Sequence, residues 1–128
     1  MAKKQSRIGY VDGFVLVVPK RKVAAYRKVA AKGGKVWMKH GALDYKECVG
    51  DDLTPNTTGM LALTFPKMIK VKKGETVCFS WIGYRSRAHR DVVNAKVMKD
   101  PLMTEQNDPM PFDLKRMAYG GFKVIVDG

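Results

Sequence analysis

Four segments of the chain have the apolar pattern of β-strands. They run from Tyr10 to Val18, Leu43 to Val49, Glu75 to Tyr84 and Arg116 to Val126. In the second segment apolar and polar residues alternate, which is typical of a strand with one covered face. The first and fourth segments are apolar in both phases, which predicts that both sides of the sheet are covered.

Two segments between the strands show helical spacing instead. In the first, Lys20 to His40, apolar residues line one face and lysines and arginines the other. The pair Gly33-Gly34 is expected to kink or fray this helix, and Gly41 to cap its end. The second helix is expected from Ser86 to about Lys99, with Ser86 as its cap and Asp100-Pro101 as its stop.

The remaining segments predict loops. From Leu53 to Gly74 the only regular element expected is one helical turn at Lys67 to Val71, and a connection of this length is often functional. Pro109 to Asp113 is expected to be extended. Residues 1–7 are polar and basic, which predicts a flexible tail.

The order of these elements is β-α-β-β-α-β, which predicts an α+β fold of the ferredoxin-like type over a single domain, residues 1–128. Two helices can cover one face of a four-stranded sheet, but the strand pattern requires cover on the second face as well. A second copy of the same sheet would supply it. We therefore expect a homodimer, a dimeric α/β barrel, in which two sheets pack face to face.

The composition of the chain bears on its partners, its location and the state of its cysteines. Lys and Arg number 24 against 12 Asp and Glu, for a net charge of +12. Such a charge fits either a solvated basic surface or a polyanion partner, and the absence of the aromatic strand signature of RNA-recognition sheets favours the former. No membrane span and no signal-peptide core is apparent, so a cytoplasmic protein is expected. Cys48 and Cys78 are expected to be reduced, buried thiols.

Two carboxylates are candidates for chemistry because they share a strand face with apolar residues. Glu47 shares a face with Leu43, Tyr45 and Val49, and Asp12 with neighbouring aromatic residues. A covered carboxylate needs a partner or takes a raised pKa, which prepares it for acid–base work. The structural alternative for Glu47 is an ion pair with an arginine, and the candidates are Arg116, Arg87 and Arg90.

Four further residues complete the candidate site. His89, in the first turn of the second helix, is a candidate base or proton shuttle, or else a packing residue. Arg87 and Arg90, beside the helix N-terminus, are candidates to bind an anion, although Arg87 could instead pair with Asp91. Trp81 is a candidate stacking surface for a flat ligand, or else core or dimer interface. No spacing predicts a metal site, and no cofactor motif is present.

Several ungapped motifs carry a resemblance to a known family. They are Tyr10-Val-Asp-Gly-Phe, Glu47-Cys-Val-Gly-Asp-Asp, Phe79-Ser-Trp, Ser86-Arg-Ala-His-Arg-Asp, Asn94-Ala-Lys, Met110-Pro-Phe-Asp and Arg116-Met-Ala-Tyr-Gly-Gly-Phe. In this order, across residues 8–126, the chain resembles the YbaA-like family of small bacterial proteins. That family is placed with the dimeric α/β-barrel proteins of ferredoxin-like topology, and it has no assigned catalytic residue. The resemblance therefore implies a fold but no activity.

The function expected from the sequence is binding or turnover of a small organic molecule, including an anionic one, in a pocket between sheet and helices. In the enzyme version the substrate stacks near Trp81, Arg90 holds its anionic group and Glu47 or His89 moves a proton. Whether the chain is an enzyme or a non-enzymatic binding dimer stays open. The alternative class is a binder of RNA or another polyanion that uses the basic first helix.

Overall fold

The computed structural model describes residues 7–55, 62–105 and 109–128. Its regular elements are four strands, two long helices and two helices of four residues each. The strands are β1 (Tyr10–Pro19), β2 (Asp44–Val49), β3 (Glu75–Tyr84) and β4 (Ala118–Lys123). The helices are α1 (Val23–Lys39), α2 (Phe65–Met68), α3 (Arg87–Val97) and α4 (Pro101–Thr104), with 3-10 turns at Lys20–Lys22 and Leu114–Arg116.

The strands form one four-stranded sheet in the order β2-β3-β1-β4. Every neighbouring pair is antiparallel, with Phe14 of β1 opposite both Ser80 of β3 and Tyr119 of β4, and Glu47 of β2 opposite Ser80. The predicted α+β class is confirmed. β2 and β4 are the edges of this sheet, so each leaves one side of its backbone without a strand partner.

Both long helices lie on one face of the sheet, where they enclose the core. One buried cluster joins Val36 of α1 and Val93 and Val97 of α3 to Ile82 and Tyr84 of β3. A second cluster, nearer the start of α1, contains Leu16, Val18, Tyr26, Ala30 and Cys78. These residues are the apolar phase of each predicted element, so burial of that phase selects the face on which the helices pack.

Local sequence signals set several of the element ends as predicted. Ser86 caps α3 by accepting a hydrogen bond from the amide of His89 at 3.1 Å. Asp100 follows α3 and caps α4, accepting from the amide of Leu102 at 2.9 Å, with Pro101 in the first turn. Gly41, with φ of +112°, follows α1 in a conformation that favours glycine.

Other boundaries differ from the prediction. The first helix begins at Val23, because Lys20–Lys22 form a 3-10 turn after the strand. The last strand begins only at Ala118, since Asp113 caps a 3-10 turn over Leu114–Arg116. The helical turn expected at 67–71 is α2, two residues earlier, where Thr64 supplies the cap. Apart from Arg7, the expected tail lies outside the described residues, as do 56–61 of the long connection.

The second face of the sheet is apolar, and the described residues leave most of it uncovered. Val11, Phe79, Trp81 and Phe122 line a shallow hollow of about 410 Å³ there. Phe79 is 43% exposed and Phe122 62% exposed. One end is covered by α2, where the centres of the Phe65 and Phe79 rings are 6.3 Å apart, and at the other end the side chain of Ile8 packs over Gly83. In the described ranges no helix combines the length and the apolar character needed to cross a membrane.

Candidate functional site

A cavity of about 280 Å³ lies between α1 and the helix-bearing face of the sheet, and we call it the inner cavity. Its third wall is the connection after α3, which contributes Met103, Met110 and Met117. The wall is mostly apolar. Its charged and hydroxyl groups include Glu47 and Ser80 of the sheet, Lys32 of α1 and two tyrosines.

Glu47 is held in the wall of the inner cavity by two phenols. Tyr26 of α1 donates to Oε1 at 2.6 Å, and Tyr45 of β2 donates to Oε2 at 2.8 Å. Burial and the Glu47 carboxylate together raise the pKa of both tyrosines far above the ordinary phenol value. Both phenols therefore stay protonated at neutral pH and remain hydrogen-bond donors to the carboxylate.

Two of the three arginines expected to pair with Glu47 bind other carboxylates. Arg116 forms a two-pronged ion pair with Glu75, at 2.7 and 3.1 Å, and also donates to the carbonyl of Lys70. Arg90 pairs with Asp12. The interpretation of Glu47 as the carboxylate of an arginine pair with Arg116 or Arg90 is therefore wrong.

The pair Gly33-Gly34 positions Tyr45 beneath α1. The helix runs unbroken from Val23 to Lys39, so the expected kink or fray does not occur. A Cβ atom on Gly34 would instead lie 2.9 Å from Cδ1 of the Tyr45 ring, and one on Gly33 would lie 3.2 Å from its hydroxyl. The glycines thus let the ring pack against the helix backbone, which places its hydroxyl on Glu47.

Asp12 and Arg90, both expected at the ligand site, bind each other. Nη1 of Arg90 donates to Asp12 at 2.8 Å, Nε donates to Asp91 at 2.8 Å, and the guanidinium lies 5.1 Å from the centre of the Tyr10 ring. Burial raises the pKa of Asp12, while the charge of Arg90 opposes that shift. The pair ties α3 to β1, and neither residue lines the inner cavity.

His89 and Arg87 also lie away from Glu47. Nδ1 of His89 accepts a hydrogen bond from the amide of Arg85 at 2.9 Å, and its ring packs edge-on against Tyr84. Burial, assisted by the charge of Arg85, lowers the pKa of His89. Arg87 is exposed in the first turn of α3, and Asp91 pairs with Arg90 instead. His89 therefore has the contacts of a packing residue at a helix start.

Trp81 lies on the opposite face of the sheet from Glu47. It belongs to the uncovered face, where the ammonium of Lys46 lies 5.9 Å from the centre of its ring. The sheet itself separates the two residues. Of the six residues predicted for the site, the inner cavity brings in Glu47 alone.

No role at the site was predicted from the sequence for Tyr26, Tyr45 or the methionines. Tyr45 carried a usable signal, since it precedes Glu47 by two positions and so shares its strand face. The contact of Tyr26 with Glu47 spans 21 positions and had no local signal. The methionines of the inner cavity recur at 103, 110 and 117.

A second hollow of about 740 Å³ lies on the other side of this tyrosine–glutamate group, and we call it the outer groove. It runs between α1 and the edge strand β2. Tyr26, Ala30, Tyr45 and Glu47 line both the inner cavity and the outer groove, so they form a common wall. Glu47 is thereby accessible from two sides.

Both cysteines are free, but only one is buried as expected. Cys78 is 1% exposed, and burial raises the pKa of its thiol to about 11. Cys48 is exposed, because it faces the uncovered side of the edge strand. Within the described residues no three His, Cys, Asp or Glu side chains come together in a way that could hold a metal ion.

Comparison with known proteins identifies relatives over nearly the whole chain. Residues 9–114 match the family described as "Protein of unknown function (DUF1428)". The chain is 45% identical over 118 residues to proteins named "Uncharacterized protein YbaA" from Escherichia coli (strain K12) and from Shigella flexneri. Each alignment covers 92% of this chain and 97% of the relative. The chain therefore belongs to the DUF1428 family, as its resemblance to YbaA-like proteins predicted.

Proposed function

We propose that the inner cavity binds a small, mostly apolar organic molecule that donates a hydrogen bond to Glu47. The carboxylate in a mostly apolar wall carries this proposal. A carboxylate offers about four acceptor positions, and the two phenols occupy two of them. A cavity of about 280 Å³ suits a ligand of one or two rings.

The charged side chains in the wall of the inner cavity indicate which ligand groups would bind there. Arg90, expected to hold an anionic group, is occupied by Asp12 and Asp91 outside the inner cavity. The carboxylate of Glu47 favours contact with a neutral or cationic donor, such as a hydroxyl or amine, over contact with an anionic group. Lys32 adds one cationic side chain to the same wall. The methionine thioethers are flexible and polarisable, which suits a wall that adapts to its ligand.

If the ligand is transformed, Glu47 is the group placed to act on it. Its carboxylate lines the inner cavity, which places it to accept a proton from a ligand bound there. Binding requires only the hydrogen bond. Turnover requires in addition that the proton transfer lead to a product, so the two are separated by product analysis.

Thermal stability with matched ligands tests the proposal. Phenols and anilines should stabilise the protein more than their O- and N-methylated counterparts, which cannot donate. In Glu47→Gln this difference should disappear, with a loss of about ten- to a hundredfold in affinity for the donors, as for a hydrogen bond to a charged group. Glu105→Gln, an exposed position outside the inner cavity, is the matched control. Equal stabilisation by donors and methylated compounds would refute the proposal.

The basic first helix favours a second candidate function, binding of RNA or another polyanion. Eight lysines and arginines lie between Pro19 and Asp44, a stretch without an acidic residue. Seven of them outside the inner cavity are exposed: Lys20, Arg21, Lys22, Arg27, Lys28, Lys35 and Lys39. Binding to a phosphate backbone weakens steeply with added salt, whereas binding of a neutral ligand in the inner cavity does not. Titration with a short RNA at two salt concentrations separates the two functions.

We also propose that the chain is a single ferredoxin-like domain and forms a dimeric α/β barrel. The order β2-β3-β1-β4 and its antiparallel pairing support the first part. The exposed aromatic residues of the second sheet face, Phe79 and Phe122, support the second. In this dimer Trp81 is an interface residue, since it lies on the same face.

A further inference from the structure

One face of α1 borders the outer groove with a regular succession of residues. Val23, Arg27, Ala31, Lys35 and Met38 are spaced by four, four, four and three positions, which aligns them along the helix. Arg27 and Lys35 are therefore about 12 Å apart along the axis, with the small side chain of Ala31 between them. Their long side chains can converge on one group above Ala31.

These two cations have no acidic neighbour to pair with on their own element. From Lys20 to Leu43 the chain has no Asp or Glu. Both side chains are exposed, and within the described part of the chain neither has a hydrogen bond or an ion pair. An anion at this position would therefore gain two charge-assisted contacts without breaking an existing one.

The rest of the outer groove is suited to an apolar body. The rings of Tyr26 and Tyr45 and the buried Cys78 line its inner part, and Val49, 53% exposed, lines the part along the edge strand. The carboxylate of Glu47 at the common wall repels negative charge. An amphipathic anion would thus lie with its apolar body against the tyrosines and its charge outward, at Arg27 and Lys35.

We propose that the outer groove is a second ligand site, which takes a small amphipathic anion: a flat apolar body with one sulfonate, carboxylate or phosphate group. Arg27 and Lys35 recognise the anionic group, and the tyrosine rings and Val49 contact the body. This site is independent of the donor ligand proposed for the inner cavity, although the two share Glu47 in their common wall.

A pair of fluorescent probes tests this site in the full chain. The amphipathic anion 8-anilino-1-naphthalenesulfonate has a close neutral counterpart, N-phenyl-1-naphthylamine, which lacks the sulfonate. Arg27→Gln combined with Lys35→Gln should weaken binding of the sulfonate about tenfold, and leave the neutral probe unchanged. Arg21→Gln with Lys28→Gln removes the same charge from two exposed positions of the basic stretch 20–39 that do not line the outer groove, and should change the affinity less than about twofold.

Two outcomes would overturn the proposal. If both double variants weaken the sulfonate equally, the probe responds to the general charge of the helix and no site exists at Arg27 and Lys35. If Val29→Trp, which fills the inner cavity alone, abolishes binding of the sulfonate, the probe occupies the inner cavity. In the second case the outer groove fails as a site while the proposed function of the inner cavity stands.

Discussion

At the scale of single residues, the contact between Gly34 and Tyr45 decides whether Glu47 keeps its second phenol. Glycine inside a helix is unfavourable by about 1 kcal/mol relative to alanine, so Gly34 by itself destabilises α1. The ring of Tyr45 occupies the space that a methyl group would need. Packing between strand and helix therefore outweighs the intrinsic preference of the helix.

Gly34→Ala should lower the free energy of unfolding by about 1 kcal/mol, although alanine is the better helix former. The gain in helix propensity, about 1 kcal/mol, is smaller than the cost of overpacking, about 1–3 kcal/mol. Displacement of the ring should also weaken donor ligands of the inner cavity. Urea unfolding followed by circular dichroism gives the free energy.

The sign of that effect depends on Tyr45, which makes the explanation testable. In a Tyr45→Ala background the space is empty, and Gly34→Ala should then raise the free energy of unfolding by about 1 kcal/mol. A destabilisation of equal size in both backgrounds would mean that the methyl group meets something other than the Tyr45 ring.

At the scale of elements, Asp100 anchors the connection that covers the inner cavity. Its Oδ2 lies 2.7 Å from Nε2 of His40 and 3.4 Å from Nζ of Lys39, while Oδ1 caps α4 at Leu102. One carboxylate, 4% exposed as a residue, thus joins the end of α1 to the start of α4. The wall formed by the methionines depends on this junction.

Stability should depend on pH through this carboxylate. The hydrogen bond with His40, then that from Leu102 and the contact with Lys39, lower the pKa of Asp100 from 3.8 to about 2. Because the folded pKa is the lower one, the stabilisation is complete above pH 3.8 and is lost as the pH falls towards 2. Asp100→Asn should therefore be less stable than the parent at pH 7, and the difference should shrink between these two values.

Urea unfolding at several pH values measures this difference. Asp113→Asn is the control, since Asp113 also caps a short helical turn but is exposed. If Asp113→Asn shows the same loss at pH 7 and the same pH dependence, then capping alone explains the behaviour, and the contacts with His40 and Lys39 contribute nothing.

The elements also show what the sequence could predict. Both ends of β3 were predicted correctly, and Ser86 and Asp100 were recognised as the signals that start and end a helix. These features could be predicted because a strand's alternation, a helix cap and a helix stop each depend on residues close together in the sequence. The start of β4 was missed, since Asp113 replaces the first residues of the expected strand with a turn. For the site, Glu47 was found because its strand phase is local. Three other features of the site depend on how the elements pack, so no local pattern predicts them. They are the contact of Glu47 with Tyr26 of α1, the pairing of Arg90 with Asp12 over 78 positions, and the separation of Trp81 from Glu47.

At the scale of the whole molecule, the uncovered apolar sheet face favours association of two chains, whereas their net positive charge opposes it. Association would bury Phe79, Trp81 and Phe122, and a stable interface needs about 800 Å² from each partner. Two chains of +12 repel each other, and the repulsion is screened as salt is added. Apolar burial is not weakened by screening, so the dimer should become tighter at higher salt.

Analytical ultracentrifugation at micromolar concentration tests this assembly. We expect a dimer whose dissociation constant falls between low and physiological salt, and a monomer for Phe79→Glu, which places a charge in the proposed interface. Val92→Glu introduces the same charge at an apolar position of α3, 54% exposed on the helix-bearing side, and should leave the dimer intact. A parent protein that sediments as a monomer at every salt concentration would leave the second sheet face without its partner and refute the dimer. The RNA function has the opposite salt dependence, so one salt series separates association through the sheet from binding through the basic helix.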